Sequence, residues 1–148
     1  MDDIERLAAI EAIKQVKARY FYGLDNKDWD YWAREVWAPE GRLEVAGLEA
    51  AVAPRDVMIP WVARQMADCV SIHHGHTPII DFVSDVEARV IWAMEDRLYK
   101  GADDLLQPGC SQIHGWGHYH ETYVRLDCGW RLRSSKLTRL RTERVFVS

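Results

Sequence analysis

Three histidines fall within four positions in Ser71-Ile72-His73-His74-Gly75-His76-Thr77. Imidazole titrates near neutrality, so a histidine in a pocket can take a proton from carbon or oxygen. On an extended strand His73 faces one side and His74 and His76 the other, so all three cannot meet one site without a bulge. A histidine on a sheet also serves as a structural hydrogen-bonder, and residue type alone leaves both uses open. Asp25 follows a run of aromatic and apolar residues, Tyr20-Phe21-Tyr22-Gly23-Leu24. It can orient an imidazole, or cap a following helix, a role for which Asn26 competes. Asp96 continues the alternating row Val86, Ala88, Val90, Trp92 and Met94. A carboxylate on an apolar face needs a partner or a raised pKa, which is a mark of functional sites.

His114, His118 and His120 share a strand face with Trp116, Thr122 and Val124. An HxH pair can hold a metal, yet no spacing here matches a closed metal site, and none is expected. Arg133, Arg139 and Arg141 offer anion contacts or a solvated basic face. The chain has no Gly-rich phosphate loop, GxSxG elbow or HExxH helix, so nucleotide and zinc-hydrolase chemistry are not indicated. The net charge of −4 argues against nucleic-acid binding. Cys69, Cys110 and Cys128 are odd in number and widely spaced, which points to free thiols in a reducing compartment. No apolar run reaches membrane-spanning length and the acidic start carries no signal-peptide pattern, so a cytoplasmic protein is expected.

The elements that must position these residues follow from periodicity. Ile4, Leu7, Ala8, Ile10, Ile13, Val16 and Tyr20 predict a helix over 3–22, ended by Gly23. A second helix is expected over 27–37, broken by Pro39 and Gly41, and a strand over 42–46. Pro54 marks a third helix carrying Val57, Met58, Trp61, Val62 and Met66. Strands are expected over 70–82, with Pro78 at a bulge or edge, over 83–99, and over 110–126 and 130–147. Residues 101–109 read as a polar loop, and Asp127-Cys128-Gly129 as a hairpin turn. The 148 residues suit one domain of class α+β, with N-terminal helices packed in a strongly curved, mostly antiparallel sheet. Such a sheet makes a cone with an internal pocket, and the 16 aromatic residues can line it.

Taken together the motifs resemble the SnoaL-like family of the nuclear transport factor 2-like superfamily, closest to its bile-acid 7-alpha-dehydratase type. Ile10-Glu11-Ala12-Ile13-Lys14 with Tyr20-Phe21 and Leu24-Asp25 is similar to that family's first helix. Ile72-His73-His74-Gly75-His76-Thr77-Pro78 and Trp92-Ala93-Met94-Glu95-Asp96-Arg97-Leu98 resemble two of its strands. The segment His114-Gly115-Trp116-Gly117-His118 departs from the pattern. The resemblance implies a cofactor-free lyase, commonly a homotrimer or homodimer, with Tyr20, Asp25, His73 and Asp96 as the catalytic set. His73 with Asp25 looks like the dyad of scytalone dehydratase and hexachlorocyclohexane dehydrochlorinase. Tyr20 would donate to a carbonyl and Asp96 assist departure of water. Arg139 is the matching last-strand arginine, and Trp92, His118 and His120 are further expected substrate contacts. The expected substrate is a hydrophobic, ring-containing alcohol, either steroid-like or aromatic. Isomerisation in the manner of a ketosteroid isomerase, formaldehyde release, or simple ligand binding are the alternatives on the same scaffold.

Overall fold

The first helix takes its start from Asp2, whose side chain accepts from the Glu5 amide while Glu5 returns a bond to the Asp2 amide. In the computed structural model, which describes residues 1–101 and 108–147, this helix, α1, runs over Asp3–Asp25. Its buried stripe is Ala9, Ile13, Val16, Lys17, Tyr20, Gly23 and Leu24. The expected inner residues Ile4 and Leu7 are instead 78% and 66% exposed. Gly23 does not end the helix. It lies against the Tyr31 and Trp32 rings of α2, Trp29–Glu35, where a Cβ would come within 3.1 Å of both.

Asp28 caps α2 through the Tyr31 amide. Asp25 is therefore not its cap. Residues 36 and 37, expected in the helix, leave it because the chain joins the sheet: β1 is Trp37–Glu44, parallel to β5. Pro39 and Gly41 fall inside this edge strand, where a missing donor and a register shift are tolerated. The third helix, α3, spans Arg55–Gln65, with Pro54 just outside it. The remaining strands are β2 Val70–Ser84, β3 Glu87–Tyr99, β4 Cys110–Leu126 and β5 Gly129–Phe146. The expected loop at 101–109 falls mostly on 102–107, outside the described residues.

The five strands run in the order β1-β5-β4-β3-β2, antiparallel except for the β1–β5 pair. The architecture is α+β, with the sheet left open at β1 and β2. The register of β2 shifts between His76 and Ile79, at Pro78. The main core includes Ile13 and Val16 of α1, Trp32 of α2, Met58 of α3, and inward residues of β3, β4 and β5. Burying such residues contributes about 1.5–3 kcal/mol each. No helix among the described residues is long and apolar enough to cross a membrane.

Candidate active site

Alternation along β2 puts Ser71, His73 and Gly75 on the inner face and His74 and His76 on the outer one. His73 is 9% exposed and stands against the last turn of α1. There the Asp25 carboxylate takes three donors. Its Oδ1 lies 2.6 Å from His73 Nδ1 and accepts the Ser71 hydroxyl at 2.9 Å. Its Oδ2 accepts the His73 backbone N–H at 2.8 Å. With the ring proton on Nδ1, held by the carboxylate, Nε2 carries a free lone pair.

That ring lines a cavity of about 140 Å³. Leu24, Trp32, Leu43, Trp61, Val62 and Leu137 supply apolar wall, Trp61 and Val62 coming from α3. Two tyrosines face it, Tyr20 from α1 and Tyr119 from β4, with ring centroids 6.0 Å apart. Neither hydroxyl bonds to any described residue. Burial pushes the Tyr20 hydroxyl above the ordinary phenol range, and Glu121, Asp25 and Asp96 add to this. Burial raises Tyr119 in the same way. Both phenols therefore remain protonated donors in an apolar wall.

Asp96 and Arg139 form the third polar feature of the cavity. Guanidinium Nη1 donates to Oδ1 at 2.5 Å and Nη2 to Oδ2 at 2.9 Å, a bidentate pair with a buried carboxylate. Gly115 on the adjacent strand makes room for it. A Cβ at this position would collide with Arg139 Nη1 and stand 2.6 Å from Asp96 Oδ1. Arg133 and Arg141 are engaged elsewhere, by Glu87 and Glu143. Among the three arginines, Arg139 is the one that reaches the cavity.

Four expected residues thus share one cavity region, with Asp25 directly behind His73. The other expected contacts do not. His118 and His120 lie on the outer face of β4, in a groove with Thr77, Ile79 and Ile91. The inner face of β4 is carried by odd-numbered positions, Gly115, Gly117, Tyr119 and Glu121. Trp92 faces inward but packs in the core and is not part of the cavity wall. Tyr119 stands on the face opposite the β4 histidines and is the cavity residue that their pattern conceals. The signal was present in the alternation Tyr119, Glu121, Tyr123. No group of three or more His, Cys, Asp or Glu among the described residues could hold a metal ion.

A histidine–carboxylate pair, two free phenols and an arginine around a ring-sized apolar hole can hold a small carbonyl compound and move one of its protons. A helix-filled, open, curved sheet with this cavity defines the nuclear transport factor 2-like class. Within it, the chain belongs to the SnoaL-like domain family, whose model matches residues 5–136. Solved structures agree with the fold. A candidate scytalone dehydratase from Novosphingobium aromaticivorans superposes with a TM-score of 0.82 at 21% identity, covering 99% of this chain and 94% of that one. A type 2 hexachlorocyclohexane dehydrochlorinase gives a TM-score of 0.82 at 17% identity over 97% and 93% of the two chains. The type 3 dehydrochlorinase from Novosphingobium barchaimii gives a TM-score of 0.81 at 20% identity over 99% of each.

Proposed function

We propose that this protein is a lyase that removes water from a monocyclic alcohol bearing a carbonyl beside the carbon that loses its proton. The observation that carries the reading is the His73–Asp25 pair opening onto a cavity that two unbonded tyrosine hydroxyls also face. His73 Nε2 takes the proton next to the carbonyl. Asp25 steadies the imidazolium that results, and Tyr20 and Tyr119 donate to the oxygen on which enolate charge develops. The imidazolium then returns its proton to the departing hydroxyl, the carbon–oxygen bond breaks, and an enone and water leave.

Asp96 takes a different part from the one its family position implies. Both its oxygens are occupied by Arg139, so it serves as the counter-ion that aims the guanidinium. Arg139 retains three further N–H groups for a distal oxygen of the substrate. The cavity volume supports a small substrate. At about 140 Å³ it compares with a hole of about 150 Å³ that accepts benzene. Drug-sized ligands need about 300 Å³ or more. A single ring fits, which favours the ring-alcohol expectation in its monocyclic form over the steroid-like one.

The test uses 3-hydroxycyclohexanone as probe in deuterated water, with enone absorbance followed alongside deuterium uptake. Elimination that His73→Ala abolishes supports the lyase. Uptake of deuterium without enone would give the isomerase-like reading instead. Neither signal would make the cavity a binding site without turnover and end the proposal.

A further inference from the structure

Beneath the two tyrosines lies a charged pair that the mechanism above does not use. Lys17 of α1 is 1% exposed and the side chain of Glu121 on β4 is fully buried, with Nζ 2.6 Å from Oε1. Glu121 is fully engaged, since it also accepts the Ser135 hydroxyl at 2.9 Å and the Tyr123 hydroxyl at 2.6 Å. The ammonium has no second hydrogen-bond acceptor among the described residues. The ammonium stands over two ring faces: Nζ is 3.6 Å from the Tyr119 centroid and 3.9 Å from that of Tyr20. Phe21 is more distant at 5.0 Å. One cation therefore touches both rings whose hydroxyls face the cavity.

Burying an ammonium is costly, and an apolar pair of similar volume often serves a core as well. A core-only role accounts for the Lys17–Glu121 contact but not for the placement of the ammonium between the two tyrosines. A cation against a π face attracts ring electron density and holds the ring in place, most strongly where water is excluded. Drawing density from a phenol ring makes its O–H a stronger donor.

We propose that Lys17 is a positioning residue that acts through Tyr20 and Tyr119, setting their rings and strengthening their hydroxyls as donors toward an oxyanion in the cavity. The proposal rests on the reading of those hydroxyls as oxyanion donors. Glu121 keeps the cation in register while Ser135 and Tyr123 hold Glu121. Burial draws the ammonium below the usual lysine range, and Glu121 opposes this.

The experiment needs no knowledge of the natural substrate. Para-nitrophenolate is a one-ring oxyanion, and nitrobenzene is its neutral counterpart. Their affinities are measured for the wild type, for a Lys17→Met/Glu121→Gln variant and for a Tyr20→Phe/Tyr119→Phe variant. Arg139 is present in all three, so its attraction for the anion is common to them. Removing the buried cation should lower phenolate affinity about tenfold and leave nitrobenzene within about twofold. Equal losses for both probes would mean that the pair only packs the core, and the proposal fails. If the double-tyrosine variant keeps the phenolate preference, the oxyanion-donor reading itself fails. If that variant loses the preference while the Lys17→Met/Glu121→Gln variant keeps it, only the role of Lys17 fails. A measurement on the wild type avoids dependence on folding of the variants. The Lys17 ammonium resonance should move when para-nitrophenolate binds and stay in place with nitrobenzene. The same response to both would also overturn the proposal.

Discussion

Replacing Asp25 by Asn keeps size and shape and changes one oxygen into an NH2 group. The wild-type carboxylate accepts from His73 Nδ1, from the His73 amide and from the Ser71 hydroxyl. Asn cannot satisfy both sides of the histidine. If its oxygen stays toward the ring, its NH2 meets the His73 amide and two donors oppose each other. If it flips, NH2 faces Nδ1, the ring proton moves to Nε2, and the lone pair directed at the cavity is gone. The first outcome leaves a partly buried donor unpaired, at about 1–3 kcal/mol. The melting temperature should fall by about 3 °C for each kcal/mol in a chain of this size. The second outcome removes the base, and turnover should fall about 10²–10⁴-fold. Nitrogen NMR of His73 separates the cases, since Nδ1–H marks the wild-type tautomer and Nε2–H the flipped amide. Wild-type turnover in a folded Asp25→Asn protein carrying Nε2–H would refute the role of the pair.

Gly115→Ala should push the Arg139 guanidinium off Asp96 without changing either residue. Asp96 is buried but Arg139 is about one-fifth exposed, so the cost is below that of a fully buried pair, about 2 kcal/mol by urea unfolding. A variant as stable as the wild type would show that the pair can move aside. Tyr119→Phe removes a hydroxyl that has no described partner, so stability should change by less than about 1 kcal/mol. Turnover should drop about 10²-fold, and kinetics compared with thermal melting checks the split. Tyr20, Tyr119 and Tyr123 all titrate above their ordinary value of 10.0 in the fold. Their contribution is complete below that value. It is lost as pH rises past it, because the unfolded chain releases these protons first. Each adds a slope of about 1.4 kcal/mol per pH unit above pH ~10. Unfolding midpoints measured across the alkaline range should fall accordingly, and Tyr119→Phe should flatten the decline.

Strand parity made much of the site legible. The alternation in β2 separates His73 from His74 and His76, and the apolar row of β3 points Asp96 inward; the structure has both. Parity was also where reading stopped short. In β4 the histidines drew attention to even positions, but three glycine or polar positions of the odd face, Gly115, Gly117 and Glu121, hide its inward direction. The apolar period of α1 gives the right phase at Ile13, Val16 and Tyr20, but Ile4 and Leu7 continue it into first turns that stay exposed. The true stripe includes Lys17, which hydropathy assigns to solvent. A lysine in the apolar stripe of one element and a glutamate between two tyrosines of another are complementary anomalies, and each explains the other. The early start of β1 was not legible, since Pro39 and Gly41 are ordinary breakers unless a parallel edge pairing with β5 is available.

The charges around the cavity give the resting site a direction. Lys17 is matched to Glu121 and Arg139 to Asp96, each at hydrogen-bond distance. Asp25 has no lysine or arginine partner among the described residues; its ion-pairing group is His73. While the imidazole is neutral, Asp25 is the one carboxylate of the site held by neutral donors. In the proposed reaction, taking a proton from substrate turns His73 into the missing cation, at the distance where a charge-assisted bond is strongest. The negative charge left on the substrate would then be met by the tyrosine hydroxyls. Both products of proton transfer therefore meet groups already in place to receive them, and the two matched ion pairs need not move. Under that proposal the site is electrostatically preorganised, and proton abstraction is the step that the arrangement favours most directly. The proposed water-loss step draws on the same His73 proton, so a variant that slows deuterium uptake should slow enone formation at least equally.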